Sequence, residues 1–169
     1  VTLYARYLYA RYFINNVDIL VELGTAGTSV LTMTKSFYIQ KYEVTQGQYE
    51  ELMGYNPSYF GGKLNNPVER VTWYDAVMYA NKLSEAEGLS QYYTITSIVY
   101  GENPRRITSA TVTENPSANG YRLPSEQQWE YAARGGNKSN NYTYSGSNNY
   151  DDVAWVLNNN TTNGETSGT

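Results

Sequence analysis

Hydrophobic and polar positions alternate in short stretches along this chain and lock into helical spacing at three places. The VDILVEL run at 17–23 and SFYIQ at 36–40 are rich in branched and aromatic side chains, and each predicts a strand, the first followed by a turn at Gly24 to Gly27. Thr45 stands before GQYEELM as a helix cap, and Gly54 is placed to end that helix in a left-handed residue. The segment YNPSYFGGKLNN, 55–66, is dense in turn formers and predicts a loop. The clearest helix follows. TWYD at 72–75 has the form of a capping box with Asp as its acidic member, and Trp73, Ala76, Val77, Ala80 and Leu83 recur at helical spacing as a core-facing stripe. Lys82, Glu85 and Glu87 fall on the other side, with Gly88 as the stop.

QYYTITSIVY at 91–100 and ITSATVT at 107–113 have strand composition and are expected to pair across the turn GENPRR, leaving Arg105 and Arg106 as solvated charges. Pro124 and Ser125 open a third helix, Gln128 completes its capping box, and EQQWEYAAR runs to Gly135 and Gly136. Trp129, Tyr131 and Ala132 are expected to supply its buried stripe. Beyond it the chain turns to Asn, Ser, Thr, Gly and Tyr, broken by DDVAWVL at 151–157. This stretch is either a long surface loop organised by Trp155 or a frayed end. Its Asn-x-Ser/Thr triplets, at Asn141 and Asn160 among others, carry little weight in so Asn-rich a stretch.

Composition narrows the chemistry. The chain has 169 residues and no cysteine or histidine, which excludes a Ser-His-Asp triad, a Cys-His pair, a cysteine redox couple and a Cys/His zinc site. Twelve basic and sixteen acidic residues leave a net charge of −4, so no global field draws nucleic acid or an anionic membrane, and no nucleic-acid partner is expected. No apolar run approaches the roughly 20 residues of a membrane span. Nineteen tyrosines suit surfaces where one end of a ring is dry and the other wet. LYARY repeats in tandem over residues 3–12, too interrupted by Arg6 and Arg11 for a signal-peptide core, and residues 1–19 are read as a leader or non-domain segment. The chain is expected to be soluble, with its compartment and its protein or small-molecule ligand left open.

Glu43, Arg70, Arg122 and Glu130 stand among apolar neighbours, where an isolated charge costs several kcal/mol. Arg122 or Arg70 is therefore expected to pair with Glu130 or Glu43 in a structural cross-link. The competing reading, a carboxylate poised as general acid or base, requires an open cleft and a raised pKa.

Three strings, FYIQKYEVTQGQYEELM at 37–53, NPVERVTWYDAVMYANKL at 66–83 and GYRLPSEQQWEYAARGG at 120–136 followed by YSGSNNYDDVAW, resemble the sulfatase-modifying, formylglycine-generating-enzyme family domain. The resemblance covers about residues 20–169 and stops roughly halfway through the family's domain. It implies an α+β fold, an irregular variant of the C-type-lectin fold with short helices, twisted antiparallel strands and long loops. Enzymes of the family oxidise a sulfatase cysteine to formylglycine with molecular oxygen and a cysteine pair that binds copper in characterised cases, and soft monovalent copper needs those thiolates. No catalytic residue is therefore assigned in this chain, since the family's thiols lie in the C-terminal part, beyond Thr169. The resemblance also implies calcium near Trp155, for which Asp151, Asp152 and Asn158 are candidate oxygen ligands, with Asn148, Asn149 and Asn159 nearby. Where the family commonly supplies an asparagine and a backbone carbonyl before that tryptophan, this chain has Val153 and Ala154. Two functions follow: a binding or display scaffold without catalysis, or the N-terminal half of a formylglycine-generating oxidase. As half a domain, the chain is expected to expose apolar surface and to self-associate.

Overall fold

The computed structural model describes residues 11–14, 19–22, 30–33, 37–102, 105–136, 140 and 142–154. These hold three α-helices, one short 3-10 helix and three two-stranded antiparallel sheets. The α+β architecture with short elements is the one the sequence implies. The described residues fall into two compact units, one spanning 42–123 and the other comprising 11–41 with 124–154.

The 42–123 unit is built on two helices and a hairpin. Helix α1, Gln46–Met53, starts at Thr45, whose hydroxyl accepts from the Gln48 N–H at 3.3 Å while the Gln48 carboxamide accepts from the Thr45 N–H at 2.9 Å. It ends at Gly54, whose φ of 81° is the left-handed conformation a side chain disfavours. Helix α2, Trp73–Ala86, carries the predicted box between Thr72 and Asp75. Its inward face is wider than the apolar stripe alone, for it buries Asp75, Tyr79, Asn81 and Ser84 beside Val77, Ala80 and Leu83. Trp73, expected in the core, is instead 52% exposed. It is the first residue of α2, a full turn before Val77, and its ring meets Tyr93 and Tyr74 edge to face at 6.5 and 5.4 Å.

Strands β5, Tyr93–Tyr100, and β6, Ile107–Glu114, form the expected hairpin, in register from Tyr93 opposite Glu114 to Tyr100 opposite Ile107. The register shifts between Thr96 and Val99, where Ser97 takes a φ of 52°, the mark of a bulge. Gly101 closes the turn by donating to the Arg106 carbonyl at 2.7 Å. Tyr92, Ile95, Val112, Tyr121 and Leu123 close over a core of Val77, Ala80 and Tyr93. Fully burying each apolar side chain contributes roughly 1.5–3 kcal/mol. Polar groups join the layers as well: Asn81 donates to the Tyr93 carbonyl at 2.6 Å and accepts from its N–H at 3.2 Å, replacing a strand neighbour for the start of β5.

The second unit contains β1, Arg11–Ile14, paired with β4, Phe37–Gln40, and β2, Ile19–Glu22, paired with β3, Val30–Met33. Strand β1 falls within the segment read from sequence as a leader, and β3 lies where no strand is expected from the sequence. The turn expected at 24–27 lies outside the described residues. Helix α3, Glu126–Ala133, lies against β2 and β3 and opens on the predicted Ser125–Gln128 box. Tyr131 is buried as expected, whereas Trp129 is 59% exposed. Two residues apart on a helix means roughly 200° of rotation, so one face cannot bury both rings. A 3-10 turn, Tyr150–Asp152, follows.

Candidate binding surface

The predicted loop 55–66 is held in place from below by buried polar groups. The first amides of a helix have no partner within it. In α1, the Gln46 N–H donates to the Asn66 carbonyl at 2.8 Å and the Gly47 N–H to the Leu64 carbonyl at 2.9 Å, so the loop itself caps the helix. The Gln46 side chain, 1% exposed, donates to the carbonyls of Phe60 at 3.1 Å and Pro67 at 3.4 Å and accepts from the Asn56 amide at 2.9 Å. Asn56 Oδ1 accepts from the Ser58 N–H, Glu69 Oε1 from the Phe60 N–H at 2.9 Å, and Ser58 Oγ from the Glu69 N–H. Most of these bonds join residues about ten or more positions apart, and together they fix a segment with no regular secondary structure.

What this network presents is apolar. Tyr59 is 73% exposed, Phe60 and Leu64 are exposed on the same loop, and the Tyr59 and Phe60 rings meet edge to face at 5.0 Å. The Arg70 guanidinium lies 5.7 Å from the Tyr59 ring centroid, and Arg70 holds a left-handed φ of 60°. That conformation costs an ordinary side chain on the order of 1–2 kcal/mol and is retained where surrounding structure imposes it. Tyrosine and arginine on a rigid base are the residue types that carry most binding energy at protein interfaces.

Behind the loop sits a buried hydrogen-bond chain. Asp75, fully buried, accepts at Oδ1 from the Ile107 N–H at 2.8 Å and the Tyr55 hydroxyl at 3.4 Å, and at Oδ2 from the Thr72 N–H at 2.9 Å. The Thr72 hydroxyl reaches both Asp75 Oδ2 and the Ile107 carbonyl, at 2.9 and 2.8 Å. Because Tyr55 donates to Asp75, Tyr49 donates to Tyr55 across 3.2 Å. Burial, that bond and the nearby Asp75 charge push the Tyr49 phenol well above its ordinary range, and burial raises Tyr55 as well. The chain of groups is closed to solvent at Tyr49 and Asp75, so it stabilises the fold rather than offering a base to a substrate.

The residues singled out from sequence are distributed as follows. Glu43 and Arg70 are both exposed, and Arg70 stacks on Tyr59. Arg122 donates to the Leu123 carbonyl at 2.9 Å and lies 5.6 Å from the Tyr92 ring centroid. Glu130 pairs with Arg134, one turn along α3, at 2.6 Å. Arg105, expected as a solvated charge, lies 4.7 Å from the Tyr100 ring centroid. Asp151 and Asp152 sit in the 3-10 turn, and Asn158 lies outside the described residues. In that turn Asp152 accepts from the Ser147 hydroxyl at 2.8 Å, while Asn148 Oδ1 accepts from the N–H and hydroxyl of Thr143. Among the described residues no three acidic side chains converge on a cation position. These oxygens hold the turn, and no role is derived for calcium. Copper bound through thiolates has no ligand in a chain without cysteine.

Sequence reasoning passed over Gln46, Asn56, Tyr59, Phe60 and Leu64 because the segment read only as turn formers. The available signal was the SYF triplet, two adjacent rings inside NPSYFGG, where neither strand nor helix periodicity accounts for them.

The sequence and the fold have counterparts in known proteins. The chain is 52% identical over 146 residues to the protein named Chaperone protein LppX of Paenibacillus barcinonensis, a match covering 81% of this chain and 52% of that one. It therefore spans about half the length of this curated relative. The crystal structure of CarF superposes with a TM-score of 0.67 at 28% identity, covering 95% of this chain and 68% of CarF. Treponema denticola variable protein 1 superposes with a TM-score of 0.66 over 90% of this chain and 61% of that one, and at 24% identity it shares the fold alone. The model of the sulfatase-modifying factor enzyme 1-like domain matches residues 20–166, and the chain belongs to that family.

Proposed function

We propose that this chain is a binding scaffold that holds other proteins through the aromatic loop 55–66. The observation that carries the reading is the contrast between the fully buried Gln46 of α1, which anchors the loop, and the exposed Tyr59, Phe60 and Leu64 that the loop presents. Ordering a loop in advance removes part of the entropy that binding otherwise costs. The absence of cysteine leaves no thiol for the oxidation chemistry of the family's enzymes, and the name of the Paenibacillus relative, a chaperone protein, fits a protein-holding role.

A direct test follows the light scattering of thermally aggregating citrate synthase in the presence of the full chain. The parent is expected to suppress aggregation, and Tyr59→Ala with Phe60→Ala to weaken suppression about tenfold, as loss of an interface hot spot does. Undiminished suppression by the double variant, with an unchanged melting curve, would remove the loop from the function. Family membership favours one other reading for a longer protein containing this chain, an oxidase whose thiols lie outside these residues. Conversion of a sulfatase cysteine to formylglycine by that longer protein decides it.

A further inference from the structure

Resting on the binding-scaffold reading, we infer the chemistry of the segment that the loop takes: an acidic peptide with apolar anchors. Residues 55–68 contain Lys63 and no carboxylate. Glu69, next in sequence, has an oxygen engaged by the Phe60 N–H. Arg70 follows, stacked on Tyr59. Among the described residues neither Lys63 nor Arg70 has a carboxylate partner. Lys63 and Arg70 against Glu69 leave residues 55–70 with one net positive charge, in a chain of net charge −4, and with three exposed apolar side chains.

A guanidinium lying over a ring still offers its edge N–H groups, which suit a carboxylate in bidentate geometry. An incoming glutamate or aspartate therefore meets Arg70 while an apolar neighbour meets Tyr59, Phe60 or Leu64. Two cations are too few for the alternatives. Nucleic acid is held by many phosphate contacts, about 6–10 in tight complexes, and anionic membranes by clusters of roughly 4–8 basic residues.

Fluorescence anisotropy with two synthetic peptides, a Leu-Trp-Leu centre flanked by glutamates or by lysines, tests the inference on the full chain. The glutamate peptide is expected to bind more tightly and to weaken as salt screens the charges. Lys63→Glu with Arg70→Glu should cost about tenfold and reverse the preference, since opposed charges set specificity. Arg70→Gly guards against misfolding, because glycine accepts the positive φ; it should weaken binding without lowering the melting temperature. Equal binding of both peptides, indifference to the charge reversal, or tighter binding to anionic phospholipid vesicles would overturn the inference. If Tyr59→Ala with Phe60→Ala still weakens citrate synthase holding, only the acidic preference falls; if that variant holds citrate synthase normally, the reading of the loop as the holding surface falls with it.

Discussion

At the scale of single residues, Asp75 decides more than its place in a capping box implies. One oxygen serves the start of α2 through Thr72, and the other receives the Ile107 N–H at the start of β6, so a single carboxylate ties helix to hairpin. With the side chain fully buried, any donor left behind has no water to turn to. Asparagine keeps one acceptor but turns an NH2 group toward a donor, and alanine abandons both sides. Asp75→Asn is expected to cost about 2 kcal/mol and Asp75→Ala about 3 kcal/mol or more in urea unfolding at neutral pH. Glu85→Gln, on the exposed side of the same helix, is the control. An Asp75→Asn midpoint matching that control would show that the carboxylate is dispensable.

Between elements, close approach sets the limits. Gly120 lies where a Cβ would stand 2.2 Å from the Ser90 carbonyl oxygen and 2.5 Å from Ser84 Oγ, the atom that accepts the Tyr121 N–H at 2.7 Å. Gly120→Ala must move backbone or break that bond, and a cost of about 1–3 kcal/mol is expected from thermal melting. Gly61→Ala, which meets nothing nearer than 3.7 Å, should change stability by less than about 0.5 kcal/mol. Equal melting temperatures for the two variants would contradict the crowding. The sequence makes much of this level legible: all three helices begin just after the expected cap residues Thr45, Thr72 and Ser125, and β5 and β6 pair across the predicted turn. Local rules suffice there because each cap and turn is satisfied within a few residues. They fail where partners are distant. The pairing of β1 with β4 and the anchoring of Phe60 by Gln46 join positions many residues apart, and no periodicity encodes such a bond. Trp73 and Trp129 mislead for a related reason, since ring size suggests burial while the packing partner decides it.

For the whole molecule, the tyrosines link packing to pH. Tyr49 is 1% exposed, and burial, the bond to Tyr55 and the Asp75 charge all favour its neutral form. Burial raises Tyr55, Tyr93 and Tyr131 in the same direction, and the Tyr131 hydroxyl is buried without a hydrogen-bond partner among the described residues. A phenol in the unfolded chain titrates near 10.0, so above that pH the unfolded state loses protons that the folded state keeps. The sign follows: this contribution is complete below about pH 10, and stability falls as the pH rises beyond it toward the folded values. A single buried phenol such as Tyr49 steepens the fall by about 1.4 kcal/mol per pH unit. Urea midpoints measured from neutrality to about pH 11 should be flat through the start of this range and then drop. Tyr49→Phe removes one ionisable group while keeping the ring that stacks on Tyr79 at 5.7 Å, so the variant should lose less stability than the parent between neutral and alkaline pH, whatever it loses at neutrality. Parallel curves for parent and variant would show that the ionisation of Tyr49 is not coupled to unfolding. The loop 55–66 should follow the same transition, because Gln46, its anchor, shares α1 with Tyr49, and acidic-peptide binding is expected to vanish with the fold rather than before it.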